Sequence, residues 1–168
     1  IKRPQVVFTP KSMLRNKKAV SAIADFTSGK FRSVLDDPTF ADGSRDAGKV
    51  KTMLLVSGKL YYELEERRKK DGRDDIAIVR LEMLHPIPFN RLKAAFDNYP
   101  NATEVRFVQD EPANQGAWPF MAVNLVPQLD RAVTLASRPA SASPANGSAK
   151  RHAAELETLV QQAFDRGE

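Results

Sequence analysis

Short apolar runs alternate along this chain with stretches of helical spacing. Residues 5–8 (QVVF), Thr52–Val56 (TMLLV), Ile76–Leu81 (IAIVRL), 105–108 (VRFV) and 133–135 (VTL) are each bounded by polar or turn residues and predict five β-strands. The first run ends at Thr9-Pro10, where the proline holds the preceding residue extended. Because the runs are almost continuously apolar, the strands are expected to be covered on both faces. Between them the period lengthens. Leu60, Tyr61 and Leu64, followed by the charged run 65–70 and closed by Asp71-Gly72, predict a helix. Leu92, Ala95, Phe96 and Tyr99 repeat the pattern, and Phe120, Val123, Leu125, Val126 and Leu129 predict a third helix that Pro127 bends or ends. The last stripe runs through Ala153, Leu156, Leu159, Val160, Ala163 and Phe164, with Ser148 placed to cap it.

Strand and helix in alternation predict an α/β domain, a mostly parallel five-stranded sheet with helices on both faces and right-handed crossovers. Residues 36–49 and 138–148, rich in Gly and Asp or in Pro, Ser and Ala, are expected as surface loops. A length of 168 residues suits one domain spanning 1–168. No apolar run approaches the roughly 20 residues of a membrane span. With no cysteine, the chain has no disulfide or thiolate metal site, which fits a reducing, cytoplasmic setting. The two histidines, His85 and His152, lie far apart and make no metal site by spacing.

The net charge of +5 permits anionic partners, and its placement is more telling than its size. Lys2, Arg3, Lys11, Arg15, Lys17 and Lys18 fall in the first 18 residues with no acid among them. Later charges are mixed in sign and no nucleic-acid reading motif is present, so a nucleic-acid partner is not expected. The chain opens at Ile1 without Met, and we expect it to be a fragment of a much longer polypeptide.

Four stretches carry candidate chemistry. Ser57-Gly58-Lys59 follows a strand and opens a helix, where backbone N–H groups attract anions, but it lacks the glycine spacing of a phosphate loop and reads better as a structural turn. Asp110 and Glu111 follow another strand and invite an acid–base role; two solvated carboxylates at a loop mouth is the preferred reading. Trp118 either anchors an interface or fills the core, while His85 and His152 read as loop or surface residues. Lys30, Arg32 and Ser33 around Phe31 suit a phosphate beside an adenine-sized ring, and equally a solvated face.

Longer blocks resemble a known family. VVFTPKSMLRNK at 6–17, VSGKLYYEL at 56–64, DIAIVRLEMLHPIPF at 75–89 and VQDEPANQGAWPF at 108–120 are similar, in order and spacing, to the C-terminal end of the thiamine-dependent first component of 2-oxoglutarate dehydrogenase. The stretch 138–147, followed by Lys150 and His152, resembles that family's closing region. HPIPFNR and NQGAWPF look most like the actinobacterial multifunctional 2-oxoglutarate enzymes.

The resemblance implies a transketolase-type C-terminal domain that packs against upstream catalytic domains and across a homodimer, and is inactive alone. It implies a parent that uses thiamine diphosphate and magnesium to decarboxylate 2-oxoglutarate and works with a lipoyl-bearing succinyltransferase and dihydrolipoyl dehydrogenase. The family's GDG motif and catalytic histidines are absent from these residues. It further implies an allosteric site for acetyl-CoA, with AMP as the other effector to consider. Lys30, Ser33 and Arg91 match that site, whereas Met83 stands in place of glutamine and Asn90 in place of an arginine. Lys2 or Arg3 could replace the missing cation. The rival reading is a stand-alone module that binds CoA or a nucleotide without catalysis.

Overall fold

A computed structural model describes residue 4 and residues 6–165. The chain divides into two compact units, Ile1–Phe31 and Arg32–Glu168. In the first, the described residues form one 3₁₀ turn, Lys11–Met13, and one short helix, α1 (Ile23–Thr27), and none of them is buried.

The second unit holds a five-stranded sheet of β1 (Val34–Leu35), β2 (Thr52–Val56), β3 (Ile76–Leu81), β4 (Glu104–Pro112) and β5 (Ala132–Arg138). Their order is β1-β3-β2-β4-β5, parallel except for β1, which runs antiparallel to β3 at the edge. Four of the five predicted strands are present. The fifth prediction, residues 5–8, is wrong: Val6, Val7 and Phe8 are coil and 71–94% exposed, and Gln5 lies outside the described residues. An apolar β-branched run pairs only where a neighbour covers it, and the edge position is taken by Val34 and Leu35.

Side-chain alternation along β2 fixes the two layers. Met53 and Leu55 point to one face, where α4 (Phe89–Asp97) and α5 (Trp118–Asn124) supply Leu92, Phe96 and Met121. Leu54 and Val56 point to the other, where α3 (Leu60–Asp71) and α6 (Ala149–Phe164) supply Leu60, Leu64, Leu159 and Phe164. Both faces are therefore dry, as the continuous apolar runs predict. Gly72 ends α3 in the left-handed region at φ 61°, and the N–H groups of Gly72 and Arg73 return to the carbonyls of Lys69 and Arg68. Ser148 Oγ accepts the Arg151 N–H at 3.4 Å and caps α6, as expected. On α5 the burial stripe differs from the predicted one, since Met121 and Leu125 are buried while Phe120 and Val123 face outward.

Within 36–49, expected as a polar loop, the chain forms α2 (Pro38–Ala41) and the 3₁₀ turn Ala47–Lys49. Two adjacent carboxylates there turn in opposite directions. Asp36 accepts from the Tyr99 hydroxyl and the Asn98 amide, both at 2.6 Å, beside the α4 layer. Asp37 is fully buried and ion-paired with Arg68 of α3, which is also fully buried. The same carboxylate accepts the backbone N–H of Ile78 at 2.8 Å and of Thr39 at 3.1 Å. Burial and the Asp36 contact push the Tyr99 phenol well above its ordinary pKa.

Removing the cation alone leaves this carboxylate buried without a counter-charge. Arg68→Leu is expected to cost about 3–5 kcal/mol in urea unfolding. The double variant Asp37→Leu/Arg68→Leu is expected to recover only partly, staying about 1–3 kcal/mol below wild type, because the Ile78 and Thr39 N–H groups lose their acceptor. Full recovery would show that the carboxylate serves the arginine only.

Candidate functional site

The chain leaves β2 through α3 toward β3 on one side, and leaves β4 through α5 toward β5 on the other. The two connections lie on opposite faces of the sheet, so a crevice opens at the C-terminal ends of β2 and β4, where open α/β sheets place ligands and contacts. A cavity of about 380 Å³ lies there, lined by Ser57, Gly58, Lys59, Gln109, Asp110 and Gly116 among others. Beside it, at the ends of β4 and β5, a second cavity of about 300 Å³ is lined by Arg138, Asn146, Arg151, His152 and Glu155, and both cavities share Asp110 and Glu111.

A chain of charges ties these elements together. The Lys59 ammonium meets Asp110 Oδ2 at 2.8 Å, and Arg138 meets Asp110 Oδ1 at 2.7 Å. Arg138, itself 7% exposed, donates on to Glu155 at 3.0 Å, and Glu155 accepts from Arg151 at 2.7 Å and Asn146 at 2.5 Å. Burial pushes the Asp110 carboxyl up, but Lys59 and Arg138 outweigh it and hold its pKa below the ordinary value. Glu155 is brought down to about 2, first by the Asn146 amide and then by Arg151. The Arg138 guanidinium is held above its ordinary value because its two carboxylates outweigh burial.

The loop after β4 is organised by Gln109, a residue the sequence did not single out. Its side chain is 5% exposed and donates to the carbonyls of Pro112 at 2.9 Å and Gln115 at 2.8 Å, while its Oε1 accepts the Trp118 N–H at 2.9 Å. Gly116 completes the turn at φ 68°, and a Cβ there would come within 2.9 Å of Glu111 Cβ and 3.0 Å of Gln109 Oε1. No residue type or spacing in the sequence sets Gln109 apart.

The sequence candidates fall as follows. Ser57-Gly58-Lys59 is a strand-to-helix turn, with Gly58 at φ 69° and the Lys59 ammonium spent on Asp110. Asp110 and Glu111 lie within β4 rather than in the loop after it; Asp110 is ion-paired rather than solvated, while Glu111 is exposed. Trp118 packs partly buried, its ring 5.8 Å from that of Phe107. His85 is exposed with its ring against Phe120, and His152 lines the second cavity. Ser33 and Met83 are brought together, since the Ser33 carbonyl accepts the N–H groups of Glu82 at 2.9 Å and Met83 at 3.2 Å. Asn90 and Arg91 lie exposed in the first turn of α4. Lys30 and Arg32 are exposed, and Lys30 belongs to the first compact unit. Lys2 and Arg3 lie outside the described residues. Among the described residues no three His, Asp or Glu side chains converge to hold a metal ion, and no helix is long and apolar enough to cross a membrane.

Topology, layering and a crevice at the strand ends define a doubly wound α/β domain. The sequence model described as "2-oxoglutarate dehydrogenase C-terminal" matches residues 20–164, and the chain belongs to that family. It is 59% identical over 98% of its length to the "2-oxoglutarate dehydrogenase E1/E2 component" of Corynebacterium glutamicum. It is 53% identical over 98% of its length to the "Multifunctional 2-oxoglutarate metabolism enzyme" of Mycolicibacterium vanbaalenii, and to the same extent to the protein of that name from Mycobacterium sp. (strain JLS). The chain spans 13% of the length of each of these relatives.

Two expectations follow. Gly116→Ala and Gln109→Ala are each expected to lower stability by about 1 kcal/mol or more and to speed amide exchange across residues 112–118; unchanged exchange in both would show that the loop is held otherwise. The second concerns acid. Because the folded Glu155 pKa lies near 2 against an ordinary 4.5, the stability it contributes is complete above about 4.5 and disappears as pH falls toward 2. Asp110 adds in the same direction. Denaturant midpoints should therefore fall across that window, and Glu155→Gln should flatten the slope.

Proposed function

We propose that this chain is the C-terminal regulatory and dimer-assembly domain of a cytoplasmic 2-oxoglutarate dehydrogenase/decarboxylase of the tricarboxylic acid cycle. The observation that carries the reading is identity of 53–59% across 98% of the chain to a "2-oxoglutarate dehydrogenase E1/E2 component" and a "Multifunctional 2-oxoglutarate metabolism enzyme". Its working partners are then the catalytic domains of the same polypeptide, a second protomer, and the lipoyl-bearing succinyltransferase and dihydrolipoyl dehydrogenase of the complex. Thiamine diphosphate with Mg²⁺ supplies the decarboxylating chemistry in such a parent. The residues present here do not fit that group: the sequence has no GDG segment, and the described carboxylates and histidines form no metal cluster. The reading therefore assigns the cofactor to other parts of the parent.

The ion-paired state of the crevice supports an assembly role. Lys59, Asp110, Arg138 and Glu155 are spent on one another, which leaves none of these four as an uncommitted acid or base. For the allosteric role we propose acetyl-CoA as ligand, with Ser33, Met83, Asn90 and Arg91 as contacts and Lys30 included on resemblance. Arg91 and Asn90 are exposed, so a diphosphate can reach them, and the Arg91 guanidinium offers charge-assisted hydrogen bonds.

Titration of the parent enzyme with acetyl-CoA tests this. Arg91→Ala is expected to weaken activation about tenfold or more, while Asn90→Arg, which adds a cation beside it, tightens it. The 168-residue chain alone is expected to bind acetyl-CoA weakly in calorimetry. Activation indifferent to both substitutions would remove the site.

A further inference from the structure

Ten large apolar side chains are conspicuously exposed among the described residues, and eight of them, Val6, Val7, Phe8, Leu14, Val20, Ile23, Phe26 and Phe31, belong to the first 31 residues. Their exposure runs from 69% to 94%, and no described residue of that unit is buried. Isolated exposed apolar groups are ordinary; eight in a segment without a core of its own are not. The charge is equally uneven. Residues 1–31 carry seven Lys or Arg against one acid, Asp25, whereas residues 32–168 carry 19 against 20. The whole positive excess of the chain lies in this arm.

We propose that residues 6–31 of this arm, which carry five Lys or Arg against Asp25, form a docking strap that lays its apolar side chains into an acidic, apolar-pocketed surface on the remainder of the parent polypeptide. The inference rests on the reading given under Proposed function. Two observations select the occupant. The relatives are about eight times longer than this chain, and the family is C-terminal by description, so most of the parent's surface lies in residues that precede the matched region. The run of cations requires an acidic counter-surface, because like charge opposite it would cost rather than stabilise. A second copy of residues 32–168 offers nearly neutral charge and is the poorer complement.

Chymotrypsin reads this directly through cleavage after Phe8, Phe26 and Phe31. In the full-length parent, cleavage at these sites is expected to be at least about tenfold slower than in the 168-residue chain, since proteolysis follows the population of the open segment. Charge reversal by Arg15→Glu with Lys17→Glu alters no cleavage site and is expected to restore fast cleavage in the parent while leaving the short chain unchanged. Phe8→Asp would test the apolar half by accelerated cleavage after Phe26 and Phe31. Equal rates in parent and short chain overturn the strap. So does protection of the short chain that grows with its concentration, which would make a second copy the occupant. If the native gene product proves to be this short chain, the reading under Proposed function fails first, and that outcome is seen on a size-resolved blot before any protease is added.

Discussion

Asp37, together with Asp36 before it, holds the two layers of this domain to one sheet edge. Its carboxylate accepts from the Arg68 guanidinium on α3, from the Ile78 N–H on β3 and from the Thr39 N–H that starts α2. Residue 36 points the other way and meets Tyr99 and Asn98 at the end of α4. Two consecutive side chains thus join the helices of opposite faces through a single peptide. A hydrophobic sandwich is non-directional and tolerates sliding of its helices, whereas a buried carboxylate with fixed donors does not. The edge strand β1 is only two residues long, so this polar junction, more than the ladder, determines where the edge ends.

At the opposite, C-terminal end of the sheet the charges form a line from Lys59 through Asp110 and Arg138 to Glu155 and Arg151. It joins the turn between β2 and α3 to β4, β5 and α6. Each member carries a partner of opposite sign on at least one side, and Arg138 is satisfied by two. Such an arrangement rigidifies loops and suits a surface that must keep its shape against another body. It suits general acid–base chemistry poorly, because every proton move would break an ion pair. The crevice position alone would suggest a ligand site; the wiring of its side chains argues for a scaffold.

The sequence disclosed the elements that rest on periodicity. β2 and β3 match their predicted bounds, the end of α3 at Gly72 follows from Asp71-Gly72, and Ser148 caps α6. What stayed hidden depends on contacts distant along the chain. Residues 5–8 have the composition of a strand, yet Val6, Val7 and Phe8 are coil, and Val34 and Leu35 have a partner but too short a run to be noticed. Asp36 and Asp37 looked like solvent-facing loop residues because carboxylates are rarely buried, and only the fold brings Arg68 and Ile78 to one of them. The candidate site was legible in part: a loop was expected to follow the fourth strand from residue 109, whereas β4 runs on to Pro112, and Gln109, which holds the loop beyond it, carries no distinguishing residue type. Arg91 and Met83 came from resemblance alone, whereas Ser33 already stood in the stretch with Lys30 and Arg32; no local pattern relates residues 33, 83 and 91.

A regulatory role for such a domain must be reconciled with its stiffness. Ser33 is joined to Glu82 and Met83 by backbone hydrogen bonds and lies three residues before Asp36, so a ligand at the proposed position would touch a segment anchored to both helical layers. Coupling between sites requires an element with two arrangements whose balance the ligand shifts. The carboxylates of Asp36 and Asp37 hold their donors in one arrangement, and so do those in the line of charges at the strand ends. A ligand there would therefore act as a change in how a rigid body is seated on its surroundings, through the exposed groups on α4. Regulation of that kind needs neither a hinge nor a lid within residues 32–168; it needs a surface elsewhere that distinguishes the occupied face from the empty one.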